Sequence, residues 1–208
     1  MGLPKLPPVP DCERDTQSEA YAARLDSLES ARWKRWLNVQ APYRWNLRRL
    51  RLGFVLDVGC GIGRNLVHLD GSGVGVDHNP HAVETARRRG CTAFTPDEFR
   101  SSVHAAPGRF DAMLVAHVLE HMPLAEARQL VSEYLGYLKP GGRVVLITPQ
   151  EAGYRSDPSH VEFTDFEKLD KIVSDCALQP QKIYSFPFPR LVGHIFPHNE
   201  FVVVARKQ

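Results

Sequence analysis

The chain has 208 residues, of which 43% are hydrophobic and 24% are charged, a composition typical of a soluble globular protein with one core. Its formal net charge of +2 is too small to indicate nucleic acid or an anionic membrane as a partner. The four cysteines are scattered without paired spacing, and the N-terminus lacks the apolar stretch of a signal peptide. We therefore expect free thiols, no membrane span and a cytoplasmic location.

The N-terminal part of the sequence predicts a tail followed by a helical cap. Residues 1–17 are polar and rich in proline, and we expect them to form a flexible tail. Residues 18–52 have apolar side chains at helical spacing, and Pro42 is expected to divide them into two helices. The side chains that carry this spacing are Tyr21, Leu25, Leu28, Trp33, Trp36 and Leu37.

From residue 53 to residue 208, short apolar runs alternate with helical segments, and we expect one domain. The predicted strands cover residues 54–58, 73–77, 92–94, 111–116 and 143–148, and the predicted helices cover residues 62–69, 80–89 and 124–138. Alternation of helices with strands rich in Val, Ile and Leu predicts a parallel sheet covered by helices on both faces.

The C-terminal part predicts a helix and two further strands. The sequence "TDFE", residues 164–167, has the spacing of a capping box and is expected to open a helix that reaches about Leu178. Residues 182–186 and 200–206 are the last predicted strands. The connection between them is too short for a crossover helix, so this pair is predicted to be antiparallel.

The sequence "VLDVGCGIG", residues 55–63, is the strongest chemical signal, because it joins the end of a strand to the start of a helix. Its glycines allow the backbone to turn tightly and a ligand to approach closely. Asp57 would repel a phosphate but attract an ammonium group, and Arg64 stands where a dinucleotide site has its last glycine. The motif therefore predicts a nucleoside-like ligand that is zwitterionic or cationic and lacks a phosphate.

Asp77 ends the second predicted strand. An acid at this position can accept hydrogen bonds from both ribose hydroxyls of a nucleoside and would repel a 2′-phosphate. A glycine-rich turn without any ligand is the alternative interpretation. The order of strand, acid, three glycines, helix, strand and acid favours the nucleoside site.

These motifs resemble the class I S-adenosylmethionine-dependent methyltransferases. The resemblance covers about residues 54–206 and rests on "VLDVGCGIG", "GVGVD", "FDAMLVAHVLEHM" and "LKPGGRVVLIT". It implies an α/β fold, a Rossmann-like three-layer sandwich whose seven-stranded, mostly parallel sheet has its last strand antiparallel. The cofactor would lie over the carboxyl ends of the first four strands, and the N-terminal helices would cap it.

The resemblance also implies roles for residues in the first two motifs. It places Gly59, Gly61 and Gly63 against the aminoacyl part of the cofactor. Asp57 is expected near the amino group of the cofactor, and Asp77 is expected to hold the ribose.

Other cofactor-binding candidates follow the second, third and fourth strands. Asp97 or Glu98 is expected to meet the adenine amine, and the sequence does not decide between them. Ala116 and Leu119 could flank the sulfonium or belong to the core. Two histidines complete the set, His78 and His117.

The sequence "AHVLEHM", residues 116–122, follows the fourth predicted strand. If it forms a helical turn, His117, Glu120 and His121 share one face beside the sulfonium. A similar cluster, E-x-x-E-H with a later histidine, binds a divalent metal in small-RNA 2′-O-methyltransferases and ubiquinone-pathway O-methyltransferases. Here His117 replaces the first acid, and His160 could be the later ligand. Such a mixed set of nitrogen and oxygen ligands suits zinc, manganese or iron as well as magnesium.

The same residues have two other interpretations. Glu120, His121 and His160 could be catalytic without a metal, with one histidine acting as general base. The cluster could also be structural. Further candidates near the acceptor are Tyr43, Arg44 and Asn46 in the cap, where Trp45 and Leu47 could instead simply pack, and Asp157 and Glu162 in the loop that contains His160.

An alcohol needs a base or a Lewis acid before it can attack, and the cluster of histidines and a carboxylate can supply either. The expected activity is therefore methylation of a hydroxyl group on a small molecule. The polar loop, the histidines and a resemblance to actinobacterial sugar O-methyltransferases favour a sugar or oligosaccharide. Alternatives are an N- or C-methyltransferase of a natural product or quinone, or a non-catalytic cofactor-binding protein. RNA is an acceptor only by the metal-cluster analogy, since no strongly basic run supports nucleic acid. A homodimer is compatible with the sequence.

Overall fold

The computed structural model describes residues 40–208, so the predicted tail and most of the predicted cap lie outside the described residues. The helices are α1 (Ala41–Arg49), α2 (Arg64–His68), α3 (Pro80–Arg88), α4 (Pro96–Arg100), α5 (Leu124–Tyr134), α6 (Glu151–Arg155) and α7 (Phe166–Asp175). The strands are β1 (Val55–Val58), β2 (Gly73–Val76), β3 (Ala93–Phe94), β4 (Phe110–Ala116), β5 (Leu138–Pro149), β6 (Leu178–Phe186) and β7 (Glu200–Lys207). Short 3₁₀ turns cover Leu119–His121, Leu135–Tyr137 and Arg190–His194.

The seven strands form one sheet in the order β3-β2-β1-β4-β5-β7-β6. The pairs from β3 to β5 are parallel, whereas β7 is antiparallel to both of its neighbours, β5 and β6. This confirms the predicted α/β fold with an antiparallel last strand. Strands β2 and β3 are added on one side of β1, whereas β4 and β5 are added on its other side. Parallel sheets bind ligands at the carboxyl ends of the strands where the strand order reverses in this way.

The central strands are buried on both faces, as continuous apolar runs in a parallel sheet require. Leu56, Met113 and Val115 belong to the core on one face of the sheet. Val55 and Leu114 belong to the core on the other face. Residues in register on β1 and β4 therefore alternate between the two cores.

Helix α1 packs against one face of the sheet through Leu47 and Leu50, which lie in the same core as Val55. Pro42 lies in the first turn of α1, where the absence of its N–H costs no hydrogen bond. Trp45, which could have packed in the core, is 57% exposed and stacks on Phe186.

Several boundaries differ from the sequence prediction. Strand β5 begins at Leu138, five residues before the predicted start at residue 143, although Gly141 has φ of +73°. The predicted helix 124–138 ends at Tyr134 and continues as a 3₁₀ turn. Helices α4 and α6 were not predicted.

The predicted capping box at residues 164–167 was wrong by one residue. Asp165, not Thr164, is the N-cap of α7, and its side chain accepts a hydrogen bond from the Lys168 N–H at 3.1 Å. The Thr164 hydroxyl instead donates to the Glu162 carbonyl at 3.2 Å. A complete capping box, formed by Thr95 and Glu98, opens α4.

Cys60, Cys91 and Cys176 are free thiols, as expected from their spacing. Among residues 40–208, the structure contains no helix with the length and apolarity needed to cross a membrane.

We expect Asp165→Ala to lower the free energy of unfolding by about 1 kcal/mol, because α7 loses its N-cap hydrogen bond. Denaturant unfolding measures this difference. Asp170→Ala is the matched control, since Asp170 is exposed in the same helix, and we expect a change of less than about 0.5 kcal/mol. Equal effects of the two substitutions would contradict the assignment of the cap.

Candidate active site

Asp77 directly follows β2, and its side chain forms a hydrogen bond with the turn that follows β1. Its Oδ2 accepts a hydrogen bond from the Gly61 N–H at 2.7 Å, and its Oδ1 accepts one from the Asn79 N–H at 2.8 Å. The residue is buried, with 8% of its surface exposed. Each carboxylate oxygen has a second lone pair, so Asp77 can still accept two ribose hydroxyls.

The glycine turn lies close to the segment that follows β4. Gly59 has φ of +74°, and a Cβ atom on it would lie 2.2 Å from the Val118 Cγ2 atom. Gly63 is the N-cap of α2 with φ of +81°. The turn therefore requires glycine at both positions, for backbone conformation at each and for space at Gly59.

Asp57 is a fully buried carboxylate beside this turn. Burial raises its pKa to about 7, although Asn65 and the charge of Arg64 favour the ionised form. Neither carboxylate oxygen makes a hydrogen bond of normal geometry. A buried carboxylate without such a partner fits the predicted ammonium group of the cofactor.

The segment after β4 places Glu120 and His121 at the same edge of the sheet. Glu120 is 1% exposed, and neither of its carboxylate oxygens accepts a hydrogen bond of normal geometry. The N–H groups of Val161 and Glu162 donate to the Glu120 carbonyl at 2.8 and 3.1 Å. These backbone bonds bring His160 over Glu120. Ligand atoms of Glu120, His121 and His160 all lie within 4.8 Å of one another.

Backbone carbonyls fix the rings of both histidines. His121 Nδ1 lies 3.2 Å from the Ser159 carbonyl oxygen, and His160 Nδ1 lies 2.7 Å from the Tyr154 carbonyl oxygen. A carbonyl only accepts, so each bond requires a proton on Nδ1, and in the neutral form of such a ring Nε2 carries the lone pair. Burial lowers the pKa of His121, which favours the neutral ring.

His117 lies beside this group rather than in it. Its backbone has a left-handed conformation with φ of +59°, so it does not continue a helical turn with Glu120 and His121. Its Nε2 lies 2.8 Å from Glu200 Oε1 and its Nδ1 lies 3.4 Å from Glu120 Oε1. Burial would lower the pKa of His117, but the hydrogen bonds to the two carboxylates raise it to about 9. The three ligand atoms that lie together belong to Glu120, His121 and His160, and a role for His117 as a metal ligand stays a prediction.

The adenine candidates are engaged elsewhere. The Thr95 N–H donates to the Glu98 carboxylate at 2.8 Å, and Arg87 pairs with the same carboxylate at 2.7 Å. The backbone bond is the main reason that the pKa of Glu98 lies below its usual range. Asp97 pairs with Arg100 at 2.7 Å, and its side chain is 97% exposed. Adenine contact by either residue stays a prediction.

Three further cofactor candidates lie near Asp77 or at the end of β4. His78 Nδ1 is 3.7 Å from Asp77 Oδ1. Ala116 is 7% exposed at the last position of β4. Leu119 is fully buried in the core, which agrees with the alternative that it packs there.

The other cap and loop candidates have structural partners. The Tyr43 hydroxyl donates to the His198 carbonyl at 2.7 Å, and buried Asn46 accepts from the Tyr184 hydroxyl at 2.9 Å. The charge of Arg44 contributes, after burial and the charge of Arg64, to lowering the pKa of His68 to about 4.

In the loop before α7, two acids bind backbone or hydroxyl donors. Glu162 Oε2 accepts from the Leu124 N–H at 2.7 Å. Asp157 Oδ1 accepts from the Ser159 hydroxyl at 2.7 Å. They support the loop around His160 and do not belong to the group of candidate ligands.

Sequence reasoning did not find Glu200, Tyr154 or Ser159. Glu200 is the first residue of β7 and is 7% exposed. An acid at the start of a strongly apolar strand was a signal from which this residue could have been found. Tyr154 and Ser159 contact the two histidines through their carbonyl groups, which their side chains do not reveal, and also through the Tyr154 ring and the Ser159 hydroxyl.

Comparison with known proteins agrees with this geometry. Residues 55–142 match the model of a family described as "Methyltransferase domain". A human protein described as "Probable tRNA methyltransferase 9B" is 30% identical over 133 residues, which are 62% of this chain and 27% of that protein. A "Ubiquinone biosynthesis O-methyltransferase" of Xanthomonas campestris is 28% identical over 156 residues, which are 65% of this chain and 64% of that protein. The chain spans less than two thirds of either relative.

A solved structure shows the same fold over nearly the whole chain. The magnesium protoporphyrin IX methyltransferase of Synechocystis PCC 6803, with bound SAH, superposes with a TM-score of 0.66 at 17% identity, covering 94% of this chain and 98% of that one. The chain therefore has the fold of this methyltransferase structure, and residues 55–142 match a methyltransferase domain model. The activity and the cofactor remain proposals.

We expect the affinity for S-adenosylmethionine to fall about tenfold from pH 8 to pH 6, because protonation of Asp57, whose pKa is about 7, removes the partner of the cofactor ammonium group. Isothermal titration measures this dependence. Asp57→Asn should bind weakly at both pH values.

The stability of Asp57→Asn provides a second test, because this substitution should weaken cofactor binding but increase stability at high pH. The pKa of Asp57 is higher in the folded chain than in the unfolded chain, so its contribution to stability is full below about pH 4 and is lost as the pH rises through about 7. Asp57→Asn should therefore be more stable than the wild type at pH 8. An unchanged pH dependence of binding in this variant would remove Asp57 from the cofactor site.

Proposed function

We propose that the chain transfers the methyl group of S-adenosylmethionine to a hydroxyl oxygen of a small molecule. The observation that carries this proposal is the buried Glu120 carboxylate, which has no hydrogen bond of normal geometry, lies 3.4 Å from His117 Nδ1 and belongs with His121 and His160 to one group at the carboxyl edge of the sheet. A hydroxyl is a weak nucleophile until its proton is withdrawn, and this group offers a carboxyl group and two imidazole rings for that purpose.

The three residues fit a divalent ion. Two ligands of one ion with bonds of about 2.1 Å lie at most about 4.2 Å apart, so ligand atoms within 4.8 Å need to move by less than an ångström. One carboxylate and two imidazoles suit manganese or zinc, and magnesium with additional oxygen ligands. Bound there, such an ion would supply Lewis-acid chemistry to the acceptor oxygen.

The side chains around the candidate ligands hold them in place. The Ser159 and Tyr154 carbonyls fix the two rings with Nε2 directed away from those carbonyls. Tyr154 also stacks on the His160 ring, with centroids 5.3 Å apart. His117, held by Glu200, pairs with one oxygen of Glu120 and stabilises its negative charge. In the alternative without a metal, the Nε2 atom of His121 or His160 accepts the hydroxyl proton.

A sugar or oligosaccharide acceptor stays a prediction based on the sequence. The name of the Xanthomonas relative supports oxygen as the methylated atom, without indicating which hydroxyl compound this chain uses. N- or C-methylation remains the alternative activity. The arrangement of Asp57 and Asp77 argues against a protein that has lost its cofactor site. The cytoplasmic location, the absence of a nucleic-acid partner and the homodimer also stay predictions.

We expect exhaustive chelation to abolish turnover of S-adenosylmethionine on a panel of sugars, polyols and phenols. Cofactor binding should be largely retained, because Asp57 and Asp77 lie outside the metal group. Readdition of manganese, zinc or magnesium should restore the rate. Full activity of protein shown by elemental analysis to be metal-free would contradict the metal and leave a histidine as the base.

Substitutions in the group separate a chemical role from a structural one. We expect Glu120→Gln, His121→Ala and His160→Ala each to lower the rate by roughly a hundredfold or more, with the cofactor affinity nearly unchanged. Glu126→Gln, at an exposed position of α5, is the matched control and should keep the rate. If all three variants were as active as this control, both the metal-binding role and the general-base role would be excluded.

A further inference from the structure

A groove with a basic lining lies at the opposite edge of the sheet from the candidate active site. It has a volume of about 470 Å³, and its basic lining residues are Arg49, Arg51, Arg143 and Lys182. Arg143 is in register, through β4, with Val55, the first residue of β1. The groove is therefore close to the amino ends of the parallel strands, whereas the candidate active site follows their carboxyl ends.

In the described part of the chain, the positive charge of this groove is not neutralised by ion pairs. Within residues 40–208, no carboxylate forms an ion pair with any of these basic side chains. The charge of Asp111 interacts with Arg143, but Asp111 pairs directly with Lys139 at 2.6 Å. The groove thus concentrates positive charge in a protein whose overall net charge is only +2.

Arg49 is held rigidly at the groove. Its guanidinium lies 4.6 Å from the centroid of the Trp45 ring and 5.0 Å from that of Tyr184. Its Nε donates to Asn46 Oδ1 at 3.0 Å. A guanidinium fixed in this way has already lost much of the side-chain entropy that binding would cost.

Arg143 and Arg51 shape the wall beside Arg49. Arg143 donates to the carbonyls of Leu50 and Arg51 at the end of α1. Arg51 has φ of +49°, an uncommon conformation for a residue with a side chain, and these bonds hold it there. The side chains of Arg51 and Lys182 are exposed and can move toward a ligand.

We propose that this groove binds a small molecule with a di- or triphosphate group. Guanidinium groups match phosphate oxygens in geometry and charge, and Arg49, Arg51 and Lys182 can donate to adjacent phosphates. The volume suits a compact ligand. A polynucleotide would need positive charge along an extended track, and the low net charge of the chain favours a compact anion instead. The site is separate from the proposed methyl transfer and does not depend on it.

Isothermal titration of the full chain with inorganic tripolyphosphate tests this site, in metal-free buffer at constant ionic strength. We expect one molecule bound per chain. The double variant Arg51→Gln/Lys182→Gln should bind at least about tenfold more weakly, since two charge-assisted contacts are lost. The control Arg100→Gln/Lys171→Gln removes the same charge elsewhere on the surface and should bind like the wild type. Equal affinity of the double variant and the wild type would overturn the proposal.

Two further measurements identify the ligand class. Arg49→Lys keeps the charge but loses the planar fork, and we expect weaker binding from a variant whose circular dichroism is unchanged. ADP should compete with tripolyphosphate. If a single-stranded RNA of 20 nucleotides bound through Arg51 and Lys182 while tripolyphosphate did not displace it, the compact-anion site would be wrong.

Discussion

Two buried carboxyl groups, Asp57 and Glu120, lie at the carboxyl edge of the sheet without hydrogen bonds of normal geometry to their oxygens. Burial of a charge without such bonds costs free energy, and the well-packed strands on both sides of these residues can offset that cost. Each carboxyl group lies where a positive group can stabilise it. For Asp57 we propose the ammonium of the cofactor, and for Glu120 the proposed ion beside His117, which lies 3.4 Å away.

The sheet order explains why these two residues act at one place. Val58 at the end of β1 is in register with Val115 of β4, so the segments that follow the two strands begin side by side. Backbone bonds from Val161 and Glu162 then fix the distant loop onto Glu120. The proposed cofactor and acceptor residues thus share an edge although they come from three parts of the chain.

Patterns that are local in the sequence were predictable, and the fold follows from them. Alternating strands and helices, the glycine turn and Asp77 are each recognisable within a few residues. The pairing of His117 with Glu200 was not, because it joins residues 83 positions apart, and the left-handed backbone of His117 has no signal in its side chain. The capping box of Thr95 and Glu98 was recognisable from its spacing but was not predicted, and adenine contact by Glu98 stays a prediction.

The most direct test of the proposed metal group is anomalous diffraction from crystals of the chain grown with manganese and the cofactor product. We expect one strong peak with the Glu120 carboxylate and the Nε2 atoms of His121 and His160 each about 2.0–2.3 Å away. A fully occupied cofactor site with no peak between these side chains would contradict it.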